Sequence, residues 1–346
     1  MSRSFLLVSD VMGNRAALSV GAVPYFIDMA ANGEDRLKTI LLRRLFSNPP
    51  YNQFPQGTYN DKWDFNPRKT TRPFDKMDAS QVSTTLDTES LLAFNNEGAS
   101  PAVKDQLFLS ACDHSHSYEW NGTLSRELWE ELGRFSKQLS MVPLGGKFRR
   151  YMYAAPTRSH GRVPVSMYAV RVDPAITSEE CCNAVNLHII HKLTANAIST
   201  LEGLLVKNKL KEHEEYCAVL ERAAESYERV GIDQNLGTCV SDHKGYLKIL
   251  VRSLRSAVTG ISSPGTGVHE VDVRRFLYSS TKSATRLRAD HEKIGLLGKN
   301  KHRFVGPEHI GAYVVSMAQA MDMLEFPEHR RVLDHFRTLI QKEYGL

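Results

Sequence analysis

The chain lacks any apolar run near the roughly eighteen residues that a membrane helix needs. Its first nine residues hold one positive charge and a short apolar run, Phe5–Leu7, too brief for a secretory leader. Both absences favour a protein kept where it is made, in cytoplasm or virion, neither secreted nor membrane-spanning. Cysteine is scarce and odd in number: Cys112, Cys181, Cys182, Cys217 and Cys239, two of them adjacent. A long chain with that count does not read as a disulfide framework, and reduced thiols are expected. Without a leader, the sequon Asn121-Gly-Thr123 has no consequence.

Catalytic signatures are also missing. Gly260–Gly265 has the glycine spacing of a phosphate loop, but Thr266 stands where that loop needs lysine, and no strand precedes it. Ser262 and Ser263 do not make a nucleophile elbow, and His213-Glu-Glu215 lacks the second histidine of a zinc protease. No fixed-period repeat is present. No cofactor is expected.

What is present is an ordinary globular mixture, 42% apolar and 24% charged, which excludes a disordered chain. The net charge of +5 hides blocks of alternating sign. Residues 143–172 hold six bases and no acid; 173–233 hold eleven acids against six bases; 240–305 hold thirteen bases against five acids. Such blocks attract polyanions and permit head-to-tail contacts between copies.

The periodicity predicts an α+β chain, predominantly helical, with a mixed region over 1–173 and an all-helical domain over 174–346. Ser4–Ser9 reads as a strand. Glu34–Phe46 reads as an amphipathic helix with Leu37, Ile40, Leu41 and Leu45 on one face. Residues 48–80 combine five prolines with Tyr51, Phe54, Tyr59, Trp63, Phe65 and Phe74. They read as an extended arm or as a long loop on their own domain. Pro101–Leu109 reads as a helix, as does Thr123–Met141, capped by Thr123 or Ser125. Residues 147–172 read as a β-hairpin with a basic tip. Beyond Pro174, helices are expected from the capping box Thr177-Ser-Glu-Glu180 towards Lys207, over Lys209–Val230, Ser241–Val258, Val268–Ser280, Ser283–Leu296 and, with proline in the first turn, Pro307–Leu324 and Pro327–Tyr344.

The hairpin is the leading candidate site. Lys147, Arg149, Arg150, Arg158, Arg162 and Arg171 are interleaved with Phe148, Tyr151, Tyr153 and Tyr168. Cations neutralise phosphates, and aromatic faces stack on unpaired bases. Lys244, Lys248, Arg252 and Arg255 recur at helical spacing, and Arg286 and Arg288 extend this second basic block. The bland alternative for each is a solvated face, or arginines paired with the acidic stretch. Two clusters hold metal-ligand residue types, Cys112-Asp113-His114-Ser-His116 and Cys181, His188 and His191. Neither completes a four-ligand zinc set, so no metal is expected.

These features point first to a non-enzymatic protein that assembles with itself and encloses nucleic acid, single-stranded RNA above all, in the manner of a viral nucleoprotein or coat protein. The alternatives are an enzyme acting on nucleic acid or a phosphorylated substrate through Asp113, His114 and His116, and a shell or scaffold whose arginines make protein contacts only.

Overall fold

The stretch Ser19–Ile27 (β3) mixes small, β-branched and aromatic residues, and all but its two end residues are buried. Burial on both faces marks the middle of a covered sheet. The computed structural model describes residues 7–9, 15–17, 19–29, 31–44, 51–58, 81–90, 123–156, 162–189, 192–193 and 308–346. It also describes helical positions 214–215, 217–218, 221–222, 248, 251–252 and 255.

Among the described residues the main sheet has nine strands. Besides β3 they are Leu37–Arg44 (β4), Asn52–Gln53 (β5), Gln56–Thr58 (β6), Val82–Leu86 (β7), Leu139–Met141 (β8), Phe148–Pro156 (β9), Arg162–Val172 (β10) and His309–Ser316 (β11). Its order is β11-β4-β3-β10-β9-β7, with β5 on β4, β6 on β3 and β8 on β10. The sheet is mixed: β3 runs parallel to β10 and β7 parallel to β9, while β9 and β10 form the antiparallel hairpin expected over 147–172. Leu7–Ser9 (β1) and Arg15–Ala17 (β2) form a separate antiparallel pair.

Two positions in β3 show why its sequence is as it is. Pro24 has no N–H to give. It lies between the residues paired with β6, Ser19–Gly21, and those paired with β4, Tyr25–Ile27. Its carbonyl accepts instead from Thr39 Oγ1 at 2.7 Å. At Gly21 an added Cβ would come within 2.8 Å of Gln56 Cβ, Met167 Sδ and the Pro55 carbonyl, so only glycine fits the approach of β6 and β10.

The expected fold class is overturned by this sheet. Among the described residues a large mixed sheet stands beside the helices, and the second half is not all-helical, because β11 lies there. The expected helix Pro307–Leu324 is instead β11 followed by a short helix, Met317–Met323 (α3). Ser316 opens that helix with a reciprocal capping box to Gln319. The expected helix over Glu34–Phe46 is a 3-10 turn, Gly33–Arg36, leading into β4. In β4, Leu37 and then Thr39 to Arg43 are all buried, so a strand covered on both faces had imitated a helical stripe. The expected helix Thr123–Met141 is shortened to Ser125–Leu132 (α1). Gly133, at φ 63°, ends it, and a 3-10 segment carries the chain into β8. Neither Thr123 nor Ser125 caps it; the N-cap is Leu124, without a side-chain bond.

From the supposed arm, β5 and β6 join the chain's own sheet and Phe54 is fully buried. Residues 59–80, the helix expected over Pro101–Leu109, and the expected helices between 256 and 300 lie outside the described residues. The final helix, Pro327–Tyr344 (α4), matches its expected span, with Pro327 in the first turn and Gly345 in the left-handed C-terminal position.

The chain divides into two units. One comprises Met1–Leu41, Asn52–Ser178 and Val314–Leu346; the other comprises Leu42–Tyr51 and Glu179–Tyr313. Helical residues 178–189 (α2) supply Asn186, which lies in the second unit and whose amide serves the backbone of Ala312 twice. Its Nδ2 donates to the Ala312 carbonyl at 3.1 Å, and its Oδ1 accepts from the Ala312 N–H at 2.8 Å. One side chain thus stands in for a neighbouring strand beside β11, which is buried along its whole length.

Candidate functional site: the basic hairpin and the helix docked on it

A strand's period of two separates what the hairpin sequence interleaves. Arg150 falls on one face of β9, and Arg149, Tyr151 and Tyr153 on the other. Arg150 is fully buried, and its Nε donates to Thr84 Oγ1 of β7 at 3.1 Å. Tyr151 and Tyr153 are buried too. The Tyr153 hydroxyl donates to Gln56 Oε1 at 3.2 Å.

Helix α4 packs on Tyr151 and Tyr153. Its inward residues are His329, Val332, Leu333, Phe336 and Ile340, at helical spacing. His329 meets the rings of Phe54, Tyr153 and Phe326 at centroid distances of 5.5–6.0 Å. His335 lies 5.0 Å from the Tyr151 ring. Arg331 reaches past the end of β7, where its Nε donates to Asp87 Oδ2 at 2.8 Å and its Nη1 meets Glu89 at 3.1 Å. Asp87 also accepts from the Ser90 N–H, capping the turn that follows β7. At the far end of the helix the phenol oxygens of Tyr344 and Tyr25 lie 3.4 Å apart, and the Arg171 guanidinium sits 5.2 Å above the Tyr344 ring. Glu343 accepts from the Gly145 N–H at 2.6 Å.

This packing sets the protonation of the cluster. Burial drives the His329 imidazole down to about 4, against a small opposing pull from Glu328. Burial and then Arg149 lower His335, with Asp334 opposing. Burial, and then the Asp87 carboxylate, push the Tyr151 phenol up to about 12. Neutral rings in an apolar layer, flanked by paired charges, describe a docking surface.

The remaining expected site residues, where described, have unlike surroundings. Lys147 is exposed at the Gly145-Gly146 turn, and Arg149 is half-buried with its Nε donating to the Leu144 carbonyl at 2.8 Å. Arg162 lies in β10 with its side chain outside the described residues, as are Arg158, Lys244, Arg286 and Arg288. Lys248 and Arg252 are exposed. Arg255 is clamped by two carboxylates, Glu214 at 2.7 Å and Glu221 at 3.0 Å. Their hydrogen bonds raise its affinity for its proton, Glu221 first, and lower Glu221 in turn. The acidic stretch thus neutralises one guanidinium of the second basic block. Burial pushes the neighbouring Cys217 thiol up to about 11, so it is a poor nucleophile.

Cys181, Cys182 and Cys217 are buried thiols. His188 is buried on α2, and His191 and residues 112–116 lie outside the described residues. Among the described residues no group of three or more His, Cys, Asp or Glu side chains is placed to hold a metal ion. Among the same residues no helix is long and apolar enough to cross a membrane. No protein-family model, curated protein or solved structure matches the chain.

Sequence reasoning missed the role of α4. The clue was His329, which falls on the same stripe as Val332, Leu333, Phe336 and Ile340. A histidine on an apolar stripe is usually a buried one.

Proposed function

We propose that the chain is a non-enzymatic structural protein that associates with itself and binds nucleic acid, single-stranded RNA above all, through exposed surface cations. The observation that carries the reading is the pair Lys248 and Arg252. Both are exposed and lie one helical turn apart, within a stretch of thirteen bases and five acids. Exposed cations at helical spacing neutralise phosphates and release counterions without reading bases. Arg150, Tyr151 and Tyr153 have no part in this surface, because they lie in the core beneath α4 or against β7. The buried Tyr151 and Tyr153 therefore offer no base-stacking surface.

A shell protein without nucleic acid is the second reading, favoured by Arg171 on its tyrosine and by Arg255 between its two glutamates. The two differ in salt response. Purification without nuclease should leave a fraction rich in nucleic-acid absorbance, with particles or rings in the electron microscope. Retention on single-stranded RNA should fall steeply with salt. A strict monomer that ignores RNA at low salt would remove the proposal; assemblies without RNA would leave the shell reading.

A further inference from the structure

Two kinds of contact hold α4 in place. Polar contacts hold its rim: Arg331 with Asp87 and Glu89, Glu343 with the Gly145 N–H, and Arg171 over Tyr344. Two imidazoles, one in its first turn and one at mid-length, hold its inner side through ring contacts. His329 is caged by Phe54, Tyr153 and Phe326, and His335 lies against Tyr151 and Phe336. His329 Nδ1 and His335 Nε2 are buried, with no hydrogen-bond partner among the described residues. A neutral imidazole tolerates this, because one nitrogen can remain a bare acceptor. An imidazolium carries a hydrogen on both nitrogens, and each needs an acceptor. Burying that charge without one is strongly unfavourable.

We propose that α4 is an acid-sensitive latch: protonation of His329 and His335 releases Pro327–Tyr344 from the sheet while the strands beneath stay paired, uncovering Tyr25, Tyr151 and Tyr153. The groups facing the two rings favour this sense. On α4 itself Glu328 and Asp334 attract a proton weakly, while Arg331 is already engaged by Asp87 and Glu89. From β9, Arg149 opposes charge on His335. The loop between β5 and β6 presents the Phe54 ring to His329. Between the ordinary histidine value and about 4, a released His329 binds a proton that the docked one refuses, so docking weakens as pH falls. The chain before α4 has its own anchor. Asn52 Nδ2 donates to the Met323 carbonyl at 2.9 Å, and the Asn52 N–H donates to Glu325 at 3.0 Å. Phe326, between the anchored Glu325 and Pro327, then acts as the hinge.

The test is hydrogen exchange of the full chain at about pH 7 and pH 5, with rates corrected for the intrinsic effect of pH. Opening of 327–344 should rise about twentyfold from His329 alone, with β9 and β10 unchanged. The double variant His329→Phe/His335→Phe should abolish the rise. If these rings are too large for the fold, judged by β10 protection at neutral pH, His329→Leu/His335→Leu serves instead. An unchanged α4, opening of β10 together with α4, or the same rise in the double variant would overturn the latch. His309 is also buried, and burial, then Arg44 and Lys192, hold it well below the ordinary histidine range. Its own acid response would register in peptides over 309–316 and stay distinct. The latch does not depend on the nucleic-acid reading.

Discussion

At the scale of the residue, the fold depends on buried polar groups with assigned partners. Asp87 is the clearest, since its side chain is only 2% exposed while its partner Arg331 is 28% exposed. Arg331→Met leaves the carboxylate buried beside Tyr151. We expect a loss of about 2 kcal/mol in urea unfolding, below the usual value for a fully buried pair because Arg331 is partly solvated. His329 makes stability depend on pH in a definite direction. Its proton affinity is lowered on folding, so its contribution is complete above the ordinary histidine value and is lost as pH falls towards about 4. The full loss is about 3 kcal/mol. Denaturant midpoints between pH 7 and pH 4 should fall more steeply in the parent than in His329→Phe. Gly57 is a steric case: a Cβ there would lie about 2 Å from the Glu127 carboxylate, which is itself buried. Gly57→Ala should therefore cost about 1–3 kcal/mol.

At the scale of the element, strands and helices here exchange backbone and side-chain roles. The amide of Asn186 on α2 stands where a neighbouring strand would pair with β11. Asn186→Leu orphans the buried Ala312 N–H, at about 1–3 kcal/mol, and leaves the Ala312 carbonyl only the long contact from the Cys182 thiol. It also exposes a strand rich in β-branched residues to pairing with another chain. A lowered melting temperature together with faster aggregation is expected; a variant that melts like the parent would refute the account. The elements legible in the sequence were those with punctuation at both ends. Helix α4 has its proline and its glycine, and the β9–β10 hairpin has two alternating flanks. The two strands misread as helices share one cause. Leu37–Arg44 and His309–Ser316 are buried on both faces, so their apolar residues carry no period of two. In the first, the spacing of Leu37, Ile40 and Leu41 matched a helix equally well.

At the scale of the whole molecule, charge is arranged as well as counted. The basic hairpin looked like a single surface because its cations and rings alternate in sequence. In the structure Arg150 is interior, Arg171 caps a tyrosine and Arg149 serves a turn carbonyl. If nucleic acid is bound, Lys248 and Arg252 should carry part of the salt dependence. Lys248→Glu/Arg252→Glu should then lower RNA retention several-fold at low salt and flatten its salt slope, whereas Arg150→Met should act through stability alone. Binding assays at two salt concentrations, beside a melting curve for each variant, separate these outcomes.

The amino-acid sequence by itself determined the features that depend on neighbours along the chain: the hairpin over 147–172, the last helix with its two terminal residues, and the alternation of charged blocks. Dihedral preference, capping and periodicity act over a few residues, so they can be read directly. Only the tertiary structure decided which groups meet. The sheet order sets Asp87 beside Arg331, Phe54 beside His329, and Arg171 beneath Tyr344, across separations of more than a hundred residues. Burial follows from those meetings. It fixes whether an arginine serves solvent, a carboxylate or an aromatic face, and nothing local in the sequence encodes that choice.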